Sequence, residues 1–440
     1  MRVLVIGSGA REHALAWRLK QSPHLTGLWV ADGNAGTAAV ATNLGVKPEN
    51  VDELVQTAQR IKADLVVVGP ELPLANGVVD RLSEVGILAF GPTQAASRIE
   101  ASKSFALDVM KKAGIPHPEF RVFREQQDAL DFLGRHSGPA VVKADGLAAG
   151  KGVYLCSNRQ EAIIAVRSCM ADRSFGTAGD TVVIEELLSG PEVSVFAFTD
   201  GEHISPLAAA CDYKRLEDRD QGPNTGGMGS FAPPDFWTEA LAEEINRTII
   251  APAVAAMAGR GTPYRGVLYA GLMLTETGPK VLEFNCRLGD PEAQVVLPRL
   301  VTDPLEIMSA CLEGCLDKKS IKWGKESYVG VVMASGGYPA GHATGMEITG
   351  LNMGEPDTPD TIVFHAATRL APGRTPNKVV TSGGRVLTVV GRGISLAEAR
   401  ARAYDRVGGI RFHGAYYRTD IAAVVHRGSA CAAGPVAPAG

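Results

Sequence analysis

Short apolar runs alternate with amphipathic stretches through residues 1–100, and this alternation constrains the fold more than any other feature of the sequence. The apolar runs occupy residues 3–6, 28–31, 65–68 and 87–90. Their length and composition indicate strands, and the stretches between them have helical periodicity. The pattern is typical of a parallel sheet with crossover helices. A ligand site is then expected at the carboxyl ends of the strands, where three glycine-containing turns lie, GSG, GPE and GPT.

The chain has 440 residues, which is too many for one hydrophobic core and predicts several domains. Its 45% hydrophobic and 21% charged composition is that of a soluble globular protein, and no apolar run is long enough to span a membrane. A net charge of −4 without a long basic run argues against nucleic-acid binding. The start MRVLVIGSG lacks the apolar region of a signal peptide, and the cysteines are scattered. We therefore expect reduced thiols and a cytoplasmic protein.

Four segments are predicted along the chain. Residues 1–102 form the parallel α/β domain, and a central domain follows over 103–328 with a small α/β lid at about 121–189. A strand-rich C-terminal domain is expected over 329–426, and the small residues of 427–440 predict a flexible tail. The clearest single elements are helices at 103–112, 159–170 and 396–407 and strands at 140–143, 181–185, 193–198, 267–274, 280–285, 329–333 and 384–390.

The window KADGLAAGKGV (143–153) is rich in glycine and lies between apolar β-formers. It is not a P-loop, because Asp145 stands where the first glycine is required and Gly152 offers no hydroxyl after the lysine. The residues that follow predict a strand rather than a helix. The window is therefore either a mobile flap that closes over a polyphosphate or an ordinary hairpin loop.

The window VLVIGSGAREHA (3–14) is similar to the dinucleotide fingerprint G-x-G-x-x-G, but Glu12 replaces the third glycine. A carboxylate there would lie at the helix N-terminus that should receive a pyrophosphate, so NAD binding is disfavoured. Binding of a single phosphate by Gly9, Ala10 and Arg11 is more compatible with this window than binding of a pyrophosphate. A tight strand-to-helix turn without a ligand is equally compatible with this window.

Acidic side chains follow the strands of two further windows. VVIEELLSGPEVSV (182–195) places Glu185, Glu186 and Glu192 around a strand, a turn and a second strand. A carboxylate beside an apolar wall needs a partner, such as an adenine amino group or ribose hydroxyls, unless the acids are solvent-exposed at a hairpin.

KVLEFNCRLGDPEAQ (280–294) is the most informative window. Strand alternation places Glu283 and Asn285 on one face, with Arg287 on the same side if the strand continues. Two hard oxygen ligands at this spacing suit Mg²⁺, and the arginine suits a carboxylate or a phosphoryl group. A charged edge strand, the alternative, does not explain why the polar residues share one face.

A long polar loop, ACDYKRLEDRDQGPNTGGMGS (210–230), contains Asp212, Lys214 and Arg215, and then a run of glycines from Asn224 to Gly229. Its glycines permit close backbone approach to a small ligand, and a polar loop of this length is more often functional or disordered than neutral.

These windows, in this order, resemble the ATP-grasp ligases, and most closely the phosphoribosylamine–glycine ligase family. The resemblance covers nearly the whole chain, and GPNTGGMG and EFNCRLGDPE are its most specific motifs. It implies an α/β, ATP-grasp fold with an N-terminal parallel-sheet (Rossmann-like) domain, a mobile α/β lid and a C-terminal β-rich domain. The family usually has glycine at the position of Arg219, and arginine resists a positive φ. The motifs that carry the resemblance are GSGAREHA, GPELPLANGVVD, FGPTQAA, KADGLAAGKGV, GPNTGGMGS, LEFNCRLGDPEAQ and TSGGRVLTVVGRG.

For the nucleotide, the resemblance implies phosphate contacts from two lysines and a flap over ATP. The lysines are Lys103 and Lys143, and the flap contacts are Gly146, Gly150, Lys151 and Gly152. It implies that Glu185 meets adenine, that the backbone of Glu186 and Leu188 lines the base, and that Glu192 meets the ribose. Glu283 and Asn285 are implied as ligands of Mg²⁺ or Mn²⁺.

For the other substrates, the resemblance implies that Arg287 and Asp290 meet glycine and the acyl phosphate, and that Arg287 and Lys143 are catalytic. The long loop should contribute Asp212, Lys214, Asn224, Thr225 and Gly226. Gly9, Arg11 and Glu71 are implied to face phosphoribosylamine.

The reaction implied is ligation of glycine to 5-phosphoribosylamine through glycyl phosphate, which yields glycinamide ribonucleotide, ADP and phosphate. Its partners would be small molecules, with no nucleic acid and no membrane, and the enzyme would be a cytoplasmic monomer. Another ATP-grasp ligase of purine metabolism, a nicotinamide-dependent oxidoreductase and a non-catalytic nucleotide-binding regulator remain as alternatives.

Overall fold

The structure, a computed structural model, describes residues 1–148, 151–351, 360–371 and 378–423. The predicted tail at 427–440 lies outside these residues, as does Gly150 of the predicted flap. No helix within the described ranges is long and apolar enough to cross a membrane.

The N-terminal segment forms a five-stranded parallel sheet with the strand order β3-β2-β1-β4-β5. The apolar run of β4 is buried along its whole length, as expected for a parallel strand covered on both faces. The predicted parallel sheet with crossover helices is confirmed. Its elements are β1 (Arg2–Gly7), α1 (Ala10–Leu19), β2 (Gly27–Asp32), α2 (Thr37–Val40), β3 (Thr42–Leu44), α3 (Val51–Arg60), β4 (Leu65–Val68), α4 (Glu71–Ala75), α5 (Val78–Glu84), β5 (Leu88–Phe90) and α6 (Gln94–Ala101).

A small four-stranded antiparallel sheet follows, with the order β6-β9-β7-β8 and a hydrophobic core of its own. The glycine-rich window joins β7 to β8, so the predicted arrangement of strand, turn and strand is confirmed and a P-loop is excluded. The predicted mobility of this lid stays a prediction. The elements are α7 (Lys103–Ala113), β6 (Phe120–Phe123), α8 (Gln126–Arg135), β7 (Ala140–Ala144), β8 (Val153–Cys156), α9 (Arg159–Met170) and β9 (Val182–Glu186).

The remainder of the central segment is built on long antiparallel strands and is strand-rich, as predicted. The strand that carries the most informative window, β16, ends at Asn285, so Arg287 lies beyond the sheet rather than on a continued strand. The elements are β10 (Glu192–Thr199), β11 (Ala208–Asp212), β12 (Arg215–Glu217), β13 (Gln221–Asn224), β14 (Gly229–Ala232), α10 (Glu239–Ile245), α11 (Ala251–Gly259), β15 (Gly266–Thr275), β16 (Gly278–Asn285), α12 (Ala293–Val296) and α13 (Pro304–Glu313).

Three of the C-terminal strands continue the central sheet, and the other three form a small sheet of their own. β14 pairs with β17 across the predicted boundary near residue 328, which gives one eight-stranded antiparallel sheet in the order β16-β15-β10-β11-β14-β17-β22-β19. The strands that flank the long loop, β11 and β14, therefore lie in the same sheet as β16, whereas β12 and β13 within the loop form a separate two-stranded sheet. The C-terminal elements are β17 (Ser327–Ala334), β18 (Glu347–Ile348), β19 (Thr361–His365), β20 (Thr368–Leu370), β21 (Val379–Thr381), β22 (Arg385–Gly393) and α14 (Leu396–Gly409).

Candidate functional site

A cleft of about 770 Å³, open to solvent, lies between the lid sheet, α6, α7 and the end of β16. The structure brings together in its lining eight of the residues singled out from the sequence. They are Glu71, Lys103, Lys143, Gly152, Glu185, Glu283, Asn285 and Arg287. Cations and hard oxygen atoms thus line one cleft together, which is the composition that a metal-bound polyphosphate requires.

Two neighbouring lid strands supply a buried ion pair. Lys143 on β7 lies with its Nζ 2.7 Å from Oε2 of Glu185 on β9, and both side chains are less than 10% exposed. The same Nζ donates to the carbonyl of Leu282 on β16 at 3.0 Å. The lysine therefore bridges the lid and the central sheet, and Glu185 holds it there.

Lys103 begins α7, and its Nζ donates to the carbonyl of Gly146 in the flap at 3.3 Å. Burial lowers the pKa of its ammonium group, and the positive charge of Lys143 lowers it further, whereas the charge of Glu283 works in the opposite direction. Lys103 is thus a second cation that lacks full hydration, which favours a bound anion.

Asp145 anchors the base of the flap, a role that the sequence analysis missed. Its Oδ2 accepts from the hydroxyl of Ser102 at 2.9 Å, and its Oδ1 accepts from the backbone N–H of Ser104 at 2.5 Å. The aspartate of the KADG window could have suggested such an anchor, but its partners cannot be identified locally because they lie about forty residues away in the sequence. The helix that carries Lys103 is thereby fixed to the flap.

Of the predicted flap contacts, Gly146 donates its N–H to the carbonyl of Ala178 at 3.2 Å, and the carbonyl of Gly152 accepts from Ala144 at 2.8 Å. The side chain of Lys151 is exposed. Gly150 lies outside the described residues.

Glu283 and Asn285 lie two residues apart on β16, and the side-chain amide of Asn285 donates to Oε1 of Glu283 at 3.3 Å. Removal from water works to raise the pKa of Glu283, but the charges of Lys214, Lys143 and Lys103 outweigh it, and the pKa lies below its ordinary value. The carboxylate is therefore ionised at neutral pH. An ionised carboxylate and an amide oxygen facing an open cleft fit Mg²⁺, which keeps several water or phosphate ligands.

The guanidinium of Arg287 is held by two glutamates. Its Nε lies 2.9 Å from Oε2 of Glu71, and its Nη2 lies 3.0 Å from Oε1 of Glu100. Burial works to raise the pKa of Glu71, but the charges of Arg287 and Arg11 lower it to about 2. The sequence did not indicate a role for Glu100, because no local pattern links it to the segment 280–294, which contains Arg287 and begins 180 residues later.

The remaining acids of the β9–β10 segment also have partners. The carboxylate of Glu186 lies 2.8 Å from Nζ of Lys280, and Glu192 pairs with Lys214. Neither glutamate lines the cleft, and neither does Leu188, which is half-buried in the turn between the strands. Both side chains remain substantially exposed, at 38% for Glu186 and 42% for Glu192, so the solvent-exposed alternative still describes these two acids, and the ion pair of Glu192 reaches the long loop.

The long loop runs from Asp212 at the end of β11 through the β12–β13 hairpin to β14. Burial raises the pKa of Asp212 to about 7, with a further contribution from the charges of Glu292 and Glu192, while Lys214 opposes the shift. Asn224 is exposed at the end of β13. Asp212 therefore titrates near neutral pH.

The glycine run of the loop is fixed by the C-terminal strands. Thr225 donates its hydroxyl to the carbonyl of Lys214 at 2.9 Å, and the N–H of Gly226 donates to the hydroxyl of Tyr338 at 2.9 Å. The guanidinium of Arg385 donates to the carbonyl of Gly226 and, at 2.9 Å, to that of Asp290. Arg385 lies in the GGR motif near the C-terminus, where no local pattern indicates a role for it.

Arg385 also pairs with the carboxylate of Asp290, at 3.3 Å between Nη2 and Oδ1. Burial works to raise the pKa of Asp290, but the charges of Arg385 and Arg11 keep it below its ordinary value. Gln294 donates its amide to the same Oδ1 at 2.9 Å. Asp290 is thus an ionised carboxylate at the junction of all three segments of the chain.

Glu12 fills the turn at the start of α1, as the sequence predicts. Its Oε2 accepts the N–H of Gly9 at 2.7 Å, and its Oε1 lies 2.6 Å from Nε of Arg11. A pyrophosphate would have to displace this carboxylate, which argues against dinucleotide binding. The same contact occupies the N–H of Gly9, so a phosphate on this turn would also compete with Glu12. The assignment of Gly9 and Arg11 to a substrate stays a prediction.

Arg219 adopts the left-handed conformation that glycine adopts most readily, with φ of +59°. Its backbone N–H donates to Oδ2 of Asp420 at 2.8 Å. The buried guanidinium of Arg418 pairs with Asp420 at 2.7 Å and with Asp220 at 2.8 Å. These contacts hold the hairpin turn in a conformation that arginine alone disfavours.

Sequence models of one family match three consecutive parts of the chain. They are described as the phosphoribosylglycinamide synthetase N domain (residues 1–100), ATP-grasp (A) domain (101–293) and C domain (328–424).

Relatives and solved structures agree with these matches. The phosphoribosylamine–glycine ligase of Rhodopirellula baltica is 47% identical over 95% of this chain and 96% of its own. The trifunctional purine biosynthetic protein adenosine-3 of Gallus gallus is 50% identical over 96% of this chain, which spans 42% of that protein. The crystal structure of phosphoribosylamine–glycine ligase from Thermotoga maritima superimposes with a TM-score of 0.78 at 33% identity, covering 96% of this chain and 100% of that one.

A more distant structure shares the fold alone. The biotin carboxylase domain of Hydrogenobacter thermophilus 2-oxoglutarate carboxylase, determined with MgADP and bicarbonate, superimposes with a TM-score of 0.73 at 15% identity. The superposition covers 94% of this chain and 91% of that one.

Proposed function

Because the chain belongs to the phosphoribosylglycinamide synthetase family, we propose that it ligates glycine to 5-phosphoribosylamine at the expense of ATP, giving glycinamide ribonucleotide, ADP and phosphate. It is an ATP-grasp carbon–nitrogen ligase of purine biosynthesis, and its substrates are small molecules. The observation that carries the proposal is the convergence of Lys103, Lys143 and Arg287 with Glu283 and Asn285 in one open cleft.

The reaction needs no covalent enzyme nucleophile. An oxygen of the glycine carboxylate attacks the γ-phosphorus of ATP, and the bond to the β–γ bridging oxygen breaks, so that ADP leaves. The amine of phosphoribosylamine then attacks the carbonyl carbon of glycyl phosphate, loses a proton, and displaces inorganic phosphate. Catalysis on this scheme is positioning and neutralisation of charge.

Different residues of the cleft bind the phosphates, neutralise the transferring phosphoryl group and hold the metal. Lys103 and Lys143 bind the phosphates of ATP, and Arg287 neutralises charge on the phosphoryl group in transfer. Glu283 and Asn285 would hold Mg²⁺ or Mn²⁺, which supplies positive charge to the β- and γ-phosphates when bound.

The lid closes the nucleotide side of the site. The flap residues Gly146, Gly150, Lys151 and Gly152 cover the phosphates and exclude water, which would otherwise hydrolyse the acyl phosphate. Glu185 contacts the adenine. Glu186 and Leu188, which lie beside the cleft rather than in its lining, would contact the base once ATP is bound, and Glu192 would contact the ribose. When ATP binds, the carboxylates of Glu185 and Glu192 would either break their ion pairs with Lys143 and Lys214 or contact the lysine and the nucleotide at the same time.

The acceptor side lies where the long loop meets the N-terminal domain. Arg287 and Asp290 face glycine together with a set of loop residues, and Gly9, Arg11 and Glu71 face phosphoribosylamine. The loop residues are Asp212, Lys214, Asn224, Thr225 and Gly226. The enzyme works as a cytoplasmic monomer, without nucleic acid or membrane.

The test is release of ADP by the purified protein with ATP, Mg²⁺ and glycine, with and without phosphoribosylamine formed in place from ribose 5-phosphate and ammonia. The proposal predicts ADP release that requires both glycine and the amine. Release with another acid and amine of purine metabolism, but not with this pair, would assign the chain to a different ATP-grasp reaction.

A further inference from the structure

Two hydrogen-bond donors converge on one buried carboxylate beside the cleft. Glu100, near the end of α6, has a side chain only 7% exposed. Its Oε2 accepts the backbone N–H of Cys286 at 2.6 Å, and its Oε1 lies 3.0 Å from Nη2 of Arg287. Both oxygens of one carboxylate are therefore committed to two successive residues of the segment that follows β16.

This segment is no longer held by the sheet. The last residue of β16 that pairs with β15 is Asn285, opposite Tyr269. Beyond it, the thiol of Cys286 donates to the carbonyl of Ser97 at 3.5 Å, so α6 makes this contact in addition to the two from Glu100. The guanidinium of Arg287 is placed relative to Asn285 by Glu100 on α6, by Glu71 on α4 at 2.9 Å, and by its own hydrogen bond to Oδ1 of Asn285 at 3.3 Å.

Keeping a carboxyl group ionised at this buried position costs free energy. Burial raises the pKa of Glu100, and the negative charge of Glu71 adds to the shift, while the charge of Arg287 opposes it. A neutral side chain could accept the N–H of Cys286 without that penalty. The charge of Glu100 is thus best explained by the guanidinium that it faces.

We propose that Glu100 is a positioning residue for phosphoryl transfer: it holds Arg287 at a fixed place relative to Glu283 and Asn285, and it does not itself touch the reacting atoms. The inference rests on the proposed function, since the role of Arg287 is assigned there. A guanidinium displaced by about 1 Å at a reacting centre costs roughly 100-fold in rate.

The first test compares Glu100→Gln, Glu100→Asp and the control Glu84→Gln, whose glutamate lies on the exposed face of α5 and pairs with Arg81. A glutamine presents one acceptor and one donor where the site presents two donors, so it cannot satisfy both. We expect kcat of Glu100→Gln to fall about 10- to 100-fold, with KM for ATP changed by no more than about twofold. Glu100→Asp keeps two acceptors and should recover part of the rate, and Glu84→Gln should match the wild type.

The second readout does not depend on ligation. The ¹⁵Nη–Hη signal of Arg287, which reports the nitrogen that faces Glu100 and is assigned by its loss in Arg287→Lys, should exchange with solvent faster in Glu100→Gln than in the wild type and the control. An unchanged signal together with wild-type kcat would overturn the proposal. So would a loss of kcat that Glu100→Asp does not relieve and that follows a lowered Tm, because that result indicates a purely structural role.

The two readouts also separate this inference from the proposed function. If the wild type releases no ADP with glycine and the amine, the proposed function fails. The NMR signal then decides whether Glu100 holds Arg287: faster exchange in Glu100→Gln would support the contact, and unchanged exchange would refute it.

Discussion

Three lysines act on one carboxylate at Glu283. The charges of Lys214, Lys143 and Lys103 keep its pKa below the ordinary value although the site is partly removed from water. An ionised carboxylate is a strong ligand for a divalent cation, but a cation bound there adds positive charge beside the three lysines, so an anion is needed to balance the charge of the site. Under the proposed function, the metal would therefore bind together with the phosphates of ATP, whose negative charge balances the site.

Glu283→Ala should lower ligation by at least about 100-fold, because it removes the charged metal ligand, and it should leave the fold intact, because the side chain opens to the cleft. The measurement is kcat with saturating ATP and glycine, together with Tm. The matched control is Glu276→Ala, an exposed glutamate in the β15–β16 turn. Wild-type turnover in Glu283→Ala would refute the metal assignment.

Asp212 titrates close to the pH at which such an enzyme works, because burial raises its pKa to about 7. Below that pH the carboxyl is protonated and loses the charge that would attract the ammonium group of glycine. We expect kcat/KM for glycine to fall as the pH decreases through 7, approaching tenfold per pH unit.

Asp212→Asn should remove this step of the pH profile and lower kcat/KM for glycine above pH 7. The pH dependence of kcat/KM for ATP in the same variant is the internal control. If Asp212→Asn keeps the inflection near pH 7, then another group is responsible for it.

At the scale of elements, the sequence predicts single strands and helices better than it predicts which distant segments contact one another. Periodicity predicted β16, the strand–turn–strand flap and the helix of residues 159–170, because each depends on its own residues. It could not predict that Arg287 is held by Glu71 and Glu100, since those contacts join segments about 200 residues apart. Arg219 shows the same limit: its left-handed φ is stabilised by Asp420, which lies 201 residues later in the chain.

The β12–β13 hairpin should depend on that C-terminal contact. Asp420→Ala removes the acceptor of the Arg219 N–H and leaves the buried guanidinium of Arg418 with one carboxylate fewer. We expect a loss of about 2–4 kcal/mol in the free energy of unfolding and a raised KM for glycine.

Urea unfolding and glycine kinetics measure these effects, and Asp405→Ala on α14, whose side chain is exposed, is the control. Unchanged stability and an unchanged KM in Asp420→Ala would show that the hairpin turn holds its conformation without the C-terminal segment.

At the scale of the whole molecule, the C-terminal segment closes on the N-terminal domain through a pair of buried histidines. The backbone N–H of His365 on β19 donates to Nδ1 of His13 on α1 at 2.8 Å. The side-chain amide of Asn34 donates to the carbonyls of both His365 and Ser8, at 2.8 and 2.9 Å. The first and last domains therefore meet around the turn that precedes α1. The composition of the sequence offered no sign of this junction.

This junction should make the molecule sensitive to acid. Burial lowers the pKa of His365 to about 4, and burial together with the charge of His365 lowers that of His13 well below 6.5. Below pH 6.5 the unfolded chain binds protons that the folded chain does not, so the free energy of unfolding falls as the pH decreases. The limit is about 1.4 kcal/mol per pH unit for each histidine.

His13→Asn keeps an acceptor for the His365 N–H and removes one titrating group, so roughly half of this pH dependence should disappear. Urea unfolding at pH 7.5 and 5.5 measures it, and the exposed His413→Asn is the control. Equal pH dependence in His13→Asn and the wild type would show that the junction does not couple to protons.

The central claim, ligation through an acyl phosphate, is tested most directly by oxygen transfer. Glycine labelled with ¹⁸O in both carboxylate oxygens is incubated with the enzyme, ATP, Mg²⁺ and phosphoribosylamine, and the released phosphate is analysed by mass spectrometry. Because the bridging oxygen of glycyl phosphate comes from glycine, one ¹⁸O should appear in each phosphate formed. Ligation that releases phosphate without ¹⁸O would contradict the account.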